Sequence, residues 1–306
     1  MFVALPTGQP WARFLNCNSL VAFMKISVTM LSSYSYCQRK LFLENVLRIY
    51  EPPKQALVLG SVRHEVFDEI NKKEKQIVSS IIERMELEKL KEKYKEEYSK
   101  VLRQVIVDYK EDLLGFNLSL PDVFRQCWPI VLEEAETRAK NIFDFIAKHN
   151  IFGEELWEKL TPKIESEFRI ESDILGLKGI IDHLEKHPEK YVPVELKTGK
   201  MPSEGVWPGH KIQIAAYMML LEEKFNQKVN SGFIYYLDSK QKREIVMNEF
   251  LKEEIKDLVG KVKSLFNSQI IPNYCGNPNK CEKCGLKDQC YDEKLLNRRL
   301  KELKLS

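Results

Sequence analysis

The chain has 306 residues, 43% of them hydrophobic and 30% charged, with a formal net charge of +3. That length suits one large domain, or one domain carrying a big insertion, and the apolar fraction is enough for a proper core. No run of eighteen apolar residues occurs, so no membrane span is expected, and the near-balanced charge means that a nucleic-acid partner would need a local basic groove.

Residues 1–24 show no clean period and read as an N-terminal extension. The apolar stretch Phe14 to Leu31 is interrupted by Asn16, Asn18 and Lys25; it is a poor signal peptide, so a cytoplasmic chain is expected. Residues 25–71 read as the first part of the main domain, with helices at Gln38 to Leu47 and Ser61 to Asn71. Residues 72–162 read as a helical insertion. There Val78, Ile81, Met85, Leu90, Tyr94, Tyr98, Leu102, Val105 and Tyr109 recur near helical spacing among dense Lys and Glu. A continuous helix from about 76 to 110 would be roughly 50 Å long at ~1.5 Å per residue, a solvated amphipathic arm. Pro129 predicts a break, followed by a helix from Ile130 to Asn150.

Residues 163–271 read as the main part of the domain, with the strand signals at 163–248. Ile164, Ser166, Phe168 and Ile170 alternate with Glu165, Glu167, Arg169 and Glu171, the pattern of a half-buried strand. Two further runs, Gly176 to Leu184 and Tyr191 to Thr198, flank a polar loop containing Pro188 and read as a hairpin. A helix from about Gly209 to Phe225 follows, then a hairpin from Ser231–Leu237 to Arg243–Met247, then a helix from about Leu251 to Asn267. Residues 272–306 form a cysteine-rich tail.

The hairpin carries the chemistry. Residues two apart on a strand share a face, so Glu195 and Lys197 point the same way, and the hairpin can bring Asp182 beside them. Each residue alone has a bland reading: a cap for the Asp, a solvated cross-strand pair for Glu-x-Lys. Their apolar surroundings, Ile180-Ile181 and Val192 to Leu196, argue otherwise, because charges on nearly buried strands need partners or a metal. Two carboxylates can hold Mg²⁺ or Mn²⁺ for phosphodiester hydrolysis, and Lys197 can orient water or stabilise phosphate charge. His64, one turn into a helix after Gly60, is the candidate imidazole ligand and would shift preference toward Mn²⁺. Gln213 and Tyr217 lie on one helix face, where they can contact a DNA backbone or stack on a base.

Seven cysteines in a reducing compartment point to metal or cofactor binding. Cys281-x-x-Cys284-x5-Cys290 is a strong site signal. The fourth ligand is either Cys275, giving a local site with zinc or iron–sulfur, or Cys37, giving a clasp between distant segments. Cys17 and Cys127 read as ordinary small residues.

In order, Gly60-x-x-x-His64, Gly179-Ile-Ile-Asp182, Glu195-x-Lys197 and Gln213-x-x-x-Tyr217 resemble the motif series of RecB-like nucleases of the PD-(D/E)xK superfamily. The setting of Cys37, Tyr36-Cys-Gln-Arg-Lys, looks like the amino-terminal ligand segment of the iron–sulfur members, and the whole looks most like the CRISPR-associated family, the fourth Cas protein. The resemblance covers about 26–71 and 163–293. It implies an α/β fold: a restriction-endonuclease-like mixed sheet of four or five strands flanked by helices, with a helical insertion and an iron–sulfur clasp. It implies metal ligation by His64, Asp182 and Glu195, catalysis by Lys197, and substrate contacts from Gln213 and Tyr217. It further implies a [4Fe–4S] cluster on Cys37, Cys281, Cys284 and Cys290, and Mn²⁺- or Mg²⁺-dependent exonuclease action on single-stranded DNA ends, with endonuclease activity in some members. Prespacer trimming beside the CRISPR integrase complex follows from the same likeness. The alternatives are a non-catalytic nucleic-acid-binding or assembly subunit and a RecB-like repair nuclease. The chain has no Gly-x4-Gly-Lys-[Ser/Thr] segment, so it cannot drive unwinding by that route. Polarity, DNA against RNA, and monomer against homo-oligomer stay open.

Overall fold

The computed structural model describes residues 24–268 and 270–305; residues 1–23 of the extension expected at 1–24, with Cys17, lie outside them. The expected strands form, in the order β2 (Lys163–Ser172), β3 (Leu177–Lys186), β4 (Tyr191–Lys197), β5 (Ser231–Tyr236) and β6 (Gln241–Val246). A two-residue strand, β1 (Ile26–Ser27), makes the sheet six-stranded, one more than expected. β4 is buried along almost its whole length, as its run Val192 to Leu196 demands.

One edge of β3 pairs with β2 along its full length, antiparallel. The other edge is shared. β1 pairs in parallel with Leu177 and Lys178, and β4 pairs antiparallel with His183 to Lys186. Beyond His183–Val194, β3 and β4 part, and β4 continues as the parallel partner of β5 through Lys197. Parallel neighbours need a crossover, supplied by α8 (Pro208–Phe225). Asp182 and Glu195 therefore stand where two neighbouring strands diverge.

β3 is also irregular. Ile181 and Leu184 are three apart yet belong to one hydrophobic cluster, a spacing that a regular strand sends to opposite faces. Across from this step, between the pairs Ser166–His183 and Phe168–Ile181, Glu167 has a left-handed φ of 50°.

The remaining helices are α1 (Val28–Tyr36), α2 (Gln38–Asn45), α3 (Gln55–Ser79), α4 (Leu87–Asp108), α5 (Lys110–Gly115), α6 (Leu120–His149), α7 (Gly153–Lys159), α9 (Glu249–Asn267), α10 (Pro278–Glu282), α11 (Lys287–Tyr291) and α12 (Glu293–Glu302). Helices α1, α8 and α9 bury their apolar residues with β1 to β3, β5 and β6 in one core. A second core, from α3, α4 and α6, receives Leu196 of β4.

Three expectations for the helical insertion need correction. The helix expected from about 76 to 110 is broken: α3 ends at Ser79 and α4 begins at Leu87. Ile81, between them, is buried in the second core, so the chain turns back there instead of projecting. The predicted break at Pro129 is absent, because α6 runs straight through it. Proline inside a helix costs ~3 kcal/mol or more, and burial of the flanking Cys127, Ile130 and Val131 offsets that cost. The insertion is a packed unit rather than a solvated arm. Its interior holds Arg138 of α6, paired with Glu74 at 3.0 Å and Glu134 at 2.6 Å, and Tyr94 and Tyr98 of α4 donate to Glu74 at 2.9 and 3.1 Å.

Candidate active site and cysteine clasp

Two glycines set the site's approach distances. A Cβ at Gly60 would lie 3.3 Å from Thr198 Oγ1, so this glycine lets α3 run close to the end of β4 and places His64 one turn on. A Cβ at Gly179 would lie 2.6 Å from the Tyr217 ring, so glycine there admits the tyrosine beneath β3.

Four of the expected residues meet at the strand divergence. Asp182 Oδ2 accepts the Leu196 backbone N–H at 2.7 Å and bridges the gap between β3 and β4. Asp182 Oδ1 lies 3.5 Å from His64 Nδ1. Lys197 Nζ is 2.8 Å from Glu195 Oε1, which confirms that the two share a face. Glu195 Oε1 also accepts from Gln213 Nε2. Its second oxygen, Oε2, is buried with no partner among the described residues, and the residue is 4% exposed. An orphaned carboxylate oxygen in a buried position is costly unless something else satisfies it.

The electrostatics follow from packing two acids together. Burial and the negative charge of Asp182 push the Glu195 carboxyl up to about 8, against the pull of Lys197. Burial also works to raise Asp182, but the hydrogen bond and charge of His64, then Lys197 and the Leu196 N–H, hold it below its ordinary value. Burial disfavours the His64 imidazolium, yet Asp182 and then Glu195 raise it above the usual histidine range. The donor set is therefore two carboxylates and an imidazole, with one oxygen unpaired among the described residues, which fits a divalent cation: the cation would satisfy Oε2 and relieve the repulsion between the acids.

Gln213 and Tyr217 are brought to the site, but not as expected. They are 3% and 1% exposed. Gln213 donates to Glu195, and Tyr217 donates to the Ile180 carbonyl at 2.6 Å. Their contact with a DNA backbone or base is corrected by burial: they brace the carboxylate and β3 from below.

Several neighbours escaped the sequence reading. Arg63, one residue before His64, is buried and pairs with Asp238, which also accepts the Gly199 N–H and so ties α3 to the loop after Lys197. His210 Nδ1 meets Tyr236 OH at 3.0 Å; burial and the charge of Lys197 lower its pKa to about 4. Glu167 faces Asp182 across the irregular step; burial, then the charges of Asp182 and Asp68, raise its carboxyl. Glu65, Asp68 and Glu69 cluster on α3, where Lys72 pairs with Asp68 at 2.7 Å and Glu69 at 2.6 Å. A single sequence carries no signal for these pairings beyond residue type.

The cysteine segment folds back onto the start of the chain. Cys37, Cys275, Cys281, Cys284 and Cys290 all line one cavity, and none is in a disulfide. The sequence reading left Cys37 and Cys275 as alternatives; the structure brings both. Arg39 holds the seam: Nε donates to Cys290 Sγ at 3.1 Å, the two terminal nitrogens donate to the carbonyls of Cys290 and Pro272, and the guanidinium covers the Tyr274 ring at 4.1 Å. Lys280 Nζ donates to the Tyr36 carbonyl at 3.0 Å. Lys40 and Lys287 also line the cavity, a cationic collar suited to a set of thiolates. Cys127 is an ordinary core residue, as expected.

The sequence profile of the PD-(D/E)XK nuclease superfamily matches residues 25–291. The chain belongs to this superfamily. Among individual relatives of this PD-(D/E)XK protein, a CRISPR-associated exonuclease Cas4/endonuclease Cas1 fusion of Leptospira interrogans serogroup Icterohaemorrhagiae serovar Lai (strain 56601) is 30% identical over 150 residues, covering 46% of this chain and 28% of that one. A CRISPR-associated exonuclease Cas4 of Francisella tularensis subsp. novicida (strain U112) is 28% identical over 123 residues, 40% of this chain and 60% of that one. The DNA replication ATP-dependent helicase/nuclease dna2 of Schizosaccharomyces pombe (strain 972 / ATCC 24843) is 23% identical over 282 residues, 87% of this chain and 18% of that one. The match thus spans under a third of the fusion protein and under a fifth of the helicase/nuclease. None of the described helices is long and apolar enough to cross a membrane.

Proposed function

We propose that this PD-(D/E)XK protein is a Mn²⁺- or Mg²⁺-dependent exodeoxyribonuclease that trims single-stranded DNA ends to supply an integrase in CRISPR adaptation. The observation that carries the chemistry is the convergence of His64, Asp182, Glu195 and Lys197 at the strand divergence, with Glu195 Oε2 buried and unpartnered among the described residues. His64, Asp182 and Glu195 would hold the divalent ion, which supplies an activated water and neutralises phosphate charge when bound. Lys197, held by Glu195, orients the attacking water or the scissile phosphate. Gln213 fixes the rotamer of Glu195, and the Leu196 N–H fixes that of Asp182.

In the clasp, Cys37, Cys281, Cys284 and Cys290 would ligate a [4Fe–4S] cluster. Support comes from the free thiols around one cavity and from N–H donors aimed at two of the sulfurs, Lys40 N at Cys37 and Arg39 Nε at Cys290. The cluster would join segments that the chain separates by more than two hundred residues and act as a structural staple.

Digestion of end-labelled single-stranded oligonucleotides with Mn²⁺, Mg²⁺ or chelator tests this reading. Cleavage that needs the metal and vanishes in Lys197→Ala is expected; cleavage retained by Lys197→Ala contradicts the catalytic assignment, and DNA binding without any product favours a non-catalytic subunit. A second reading, a repair nuclease acting beside a separate helicase, has one observation in its favour. The dna2 relative aligns with 87% of this chain, against 46% and 40% for the two CRISPR-associated relatives. Binding to purified integrase favours the first reading; stimulation only by a helicase that supplies unwound ends favours the second.

A further inference from the structure

Among the described residues the clasp holds five thiols, and the proposed cluster uses four. Their surroundings separate them. Cys37 Sγ receives the Lys40 N–H at 3.4 Å, and Cys290 Sγ receives Arg39 Nε at 3.1 Å. Such donors favour a thiolate that ligates metal. Cys281 and Cys284 sit in one tight turn, closed by Cys284 N donating to the Cys281 carbonyl at 3.1 Å. Cys275 Sγ donates to the Asn277 carbonyl at 3.7 Å and lies 3.1 Å from Cys281 Sγ. Residues 276–280 separate the two cysteines, and Gly276 turns the chain there with a φ of 65°.

We propose that Cys275 is a modification site for small-molecule disulfides, a spare thiol that captures Cys281 when the cluster is lost. The inference rests on the reading that Cys37, Cys281, Cys284 and Cys290 are the cluster ligands. The two sulfurs need to approach by only about 1 Å to reach bonding distance. The chemistry is thiol–disulfide exchange. The Cys275 thiolate attacks one sulfur of a disulfide RS–SR, forms a mixed disulfide, and releases one thiolate, which takes up a proton. Cys281, freed from iron, then attacks the Cys275 sulfur and expels the second RS⁻. Two protein thiols and one RS–SR become one protein disulfide and two RSH. The product removes Cys281 from the ligand set, so the clasp cannot accept a new cluster until a thiol reduces it.

The test compares wild-type protein, Cys275→Ser and Cys281→Ser, all purified anaerobically. Iron and sulfide contents are measured first. Each holo protein is then incubated under nitrogen with a ferrous chelator and oxidised glutathione, alkylated, and mapped by peptide mass spectrometry as its visible absorbance falls. Cys275→Ser is expected to carry as much iron and sulfide as wild type, and Cys281→Ser to lose both. Wild type should yield a Cys275–Cys281 crosslinked peptide and fail to take up iron and sulfide until dithiothreitol is added. Cys275→Ser should reload with or without prior glutathione disulfide. If Cys275→Ser is empty, the ligand assignment fails and the proposal falls with it. If Cys275→Ser stays loaded but oxidised wild type shows no crosslink to Cys281, the ligand reading stands and the proposal alone is overturned.

Discussion

Replacing Glu195 by glutamine keeps its shape and removes its charge, which isolates the consequence of burying two acids without a metal. In the folded protein the Glu195 carboxyl keeps its proton up to about 8, whereas in the unfolded chain it ionises near the ordinary 4.5. Between those values the folded state binds more protons, so stability falls as pH rises, by at most about 1.4 kcal/mol per unit. From pH 5 to pH 6.5 this sums to roughly 2 kcal/mol. That window isolates Glu195. Asp182, lowered in the fold, contributes stability that is lost only as pH drops below the ordinary aspartate range. His64, raised in the fold, contributes stability that is lost as pH climbs above its ordinary 6.5. The assay is urea unfolding of anaerobic holo protein with a magnesium- and manganese-selective chelator, at pH 5 and 6.5. Wild type should lose roughly 2 kcal/mol more than Glu195→Gln across the interval. The substituted amide leaves a buried N–H in place of the orphaned oxygen, a cost of ~1–3 kcal/mol that shifts both pH values equally. Identical pH slopes in the two proteins would refute the reasoning.

Other substitutions probe separate parts of the structure. Gln213→Ala should weaken Mn²⁺ binding and leave DNA binding in chelator unchanged, as read by calorimetry and fluorescence anisotropy; a selective loss of DNA affinity would restore the direct contact that burial argues against. Gly179→Ala drives a methyl into Tyr217 Cε1 and should cost about 1–3 kcal/mol in urea unfolding, and adding Tyr217→Phe, which keeps that ring carbon, should recover none of it. Arg138→Met strands Glu74 in the insertion's interior and should cost about 3–5 kcal/mol, while the double variant with Glu74→Gln recovers much of it. Cys37→Ala should bleach the clasp's visible absorbance; bleaching by Cys275→Ala alone would favour a local site on the tail.

The alternation from Ile164 to Glu171 and the apolar run Val192 to Leu196 made the sheet legible, because strand periodicity is a local property. The hairpin of the candidate site was legible for the same reason: Glu195 and Lys197 share a face by period alone. What the hairpin could not reveal is that its strands part at Asp182 and Glu195, since divergence depends on β1 and β5 claiming the free edges. Pro129 misled because its penalty is local while the burial of Cys127 and Ile130 is tertiary. The turn at Ile81 was hidden because that residue fits the helical period of its neighbours and is buried all the same. Gln213 and Tyr217 were placed on the right helix with the wrong exposure. Their spacing fixes a shared face but does not say whether that face meets solvent or the underside of Glu195. The clasp cysteines were legible by spacing, and the inclusion of Cys275 depended on the fold of residues 272–280.

The most direct test of the account is the stoichiometry of Mn²⁺ binding to holo protein in the absence of DNA, followed by calorimetry or electron paramagnetic resonance. One ion should bind per chain, with binding lost in the Asp182→Asn, Glu195→Gln double variant and retained in Lys197→Ala. Undiminished binding in the double variant would contradict the placement of the metal between His64, Asp182 and Glu195.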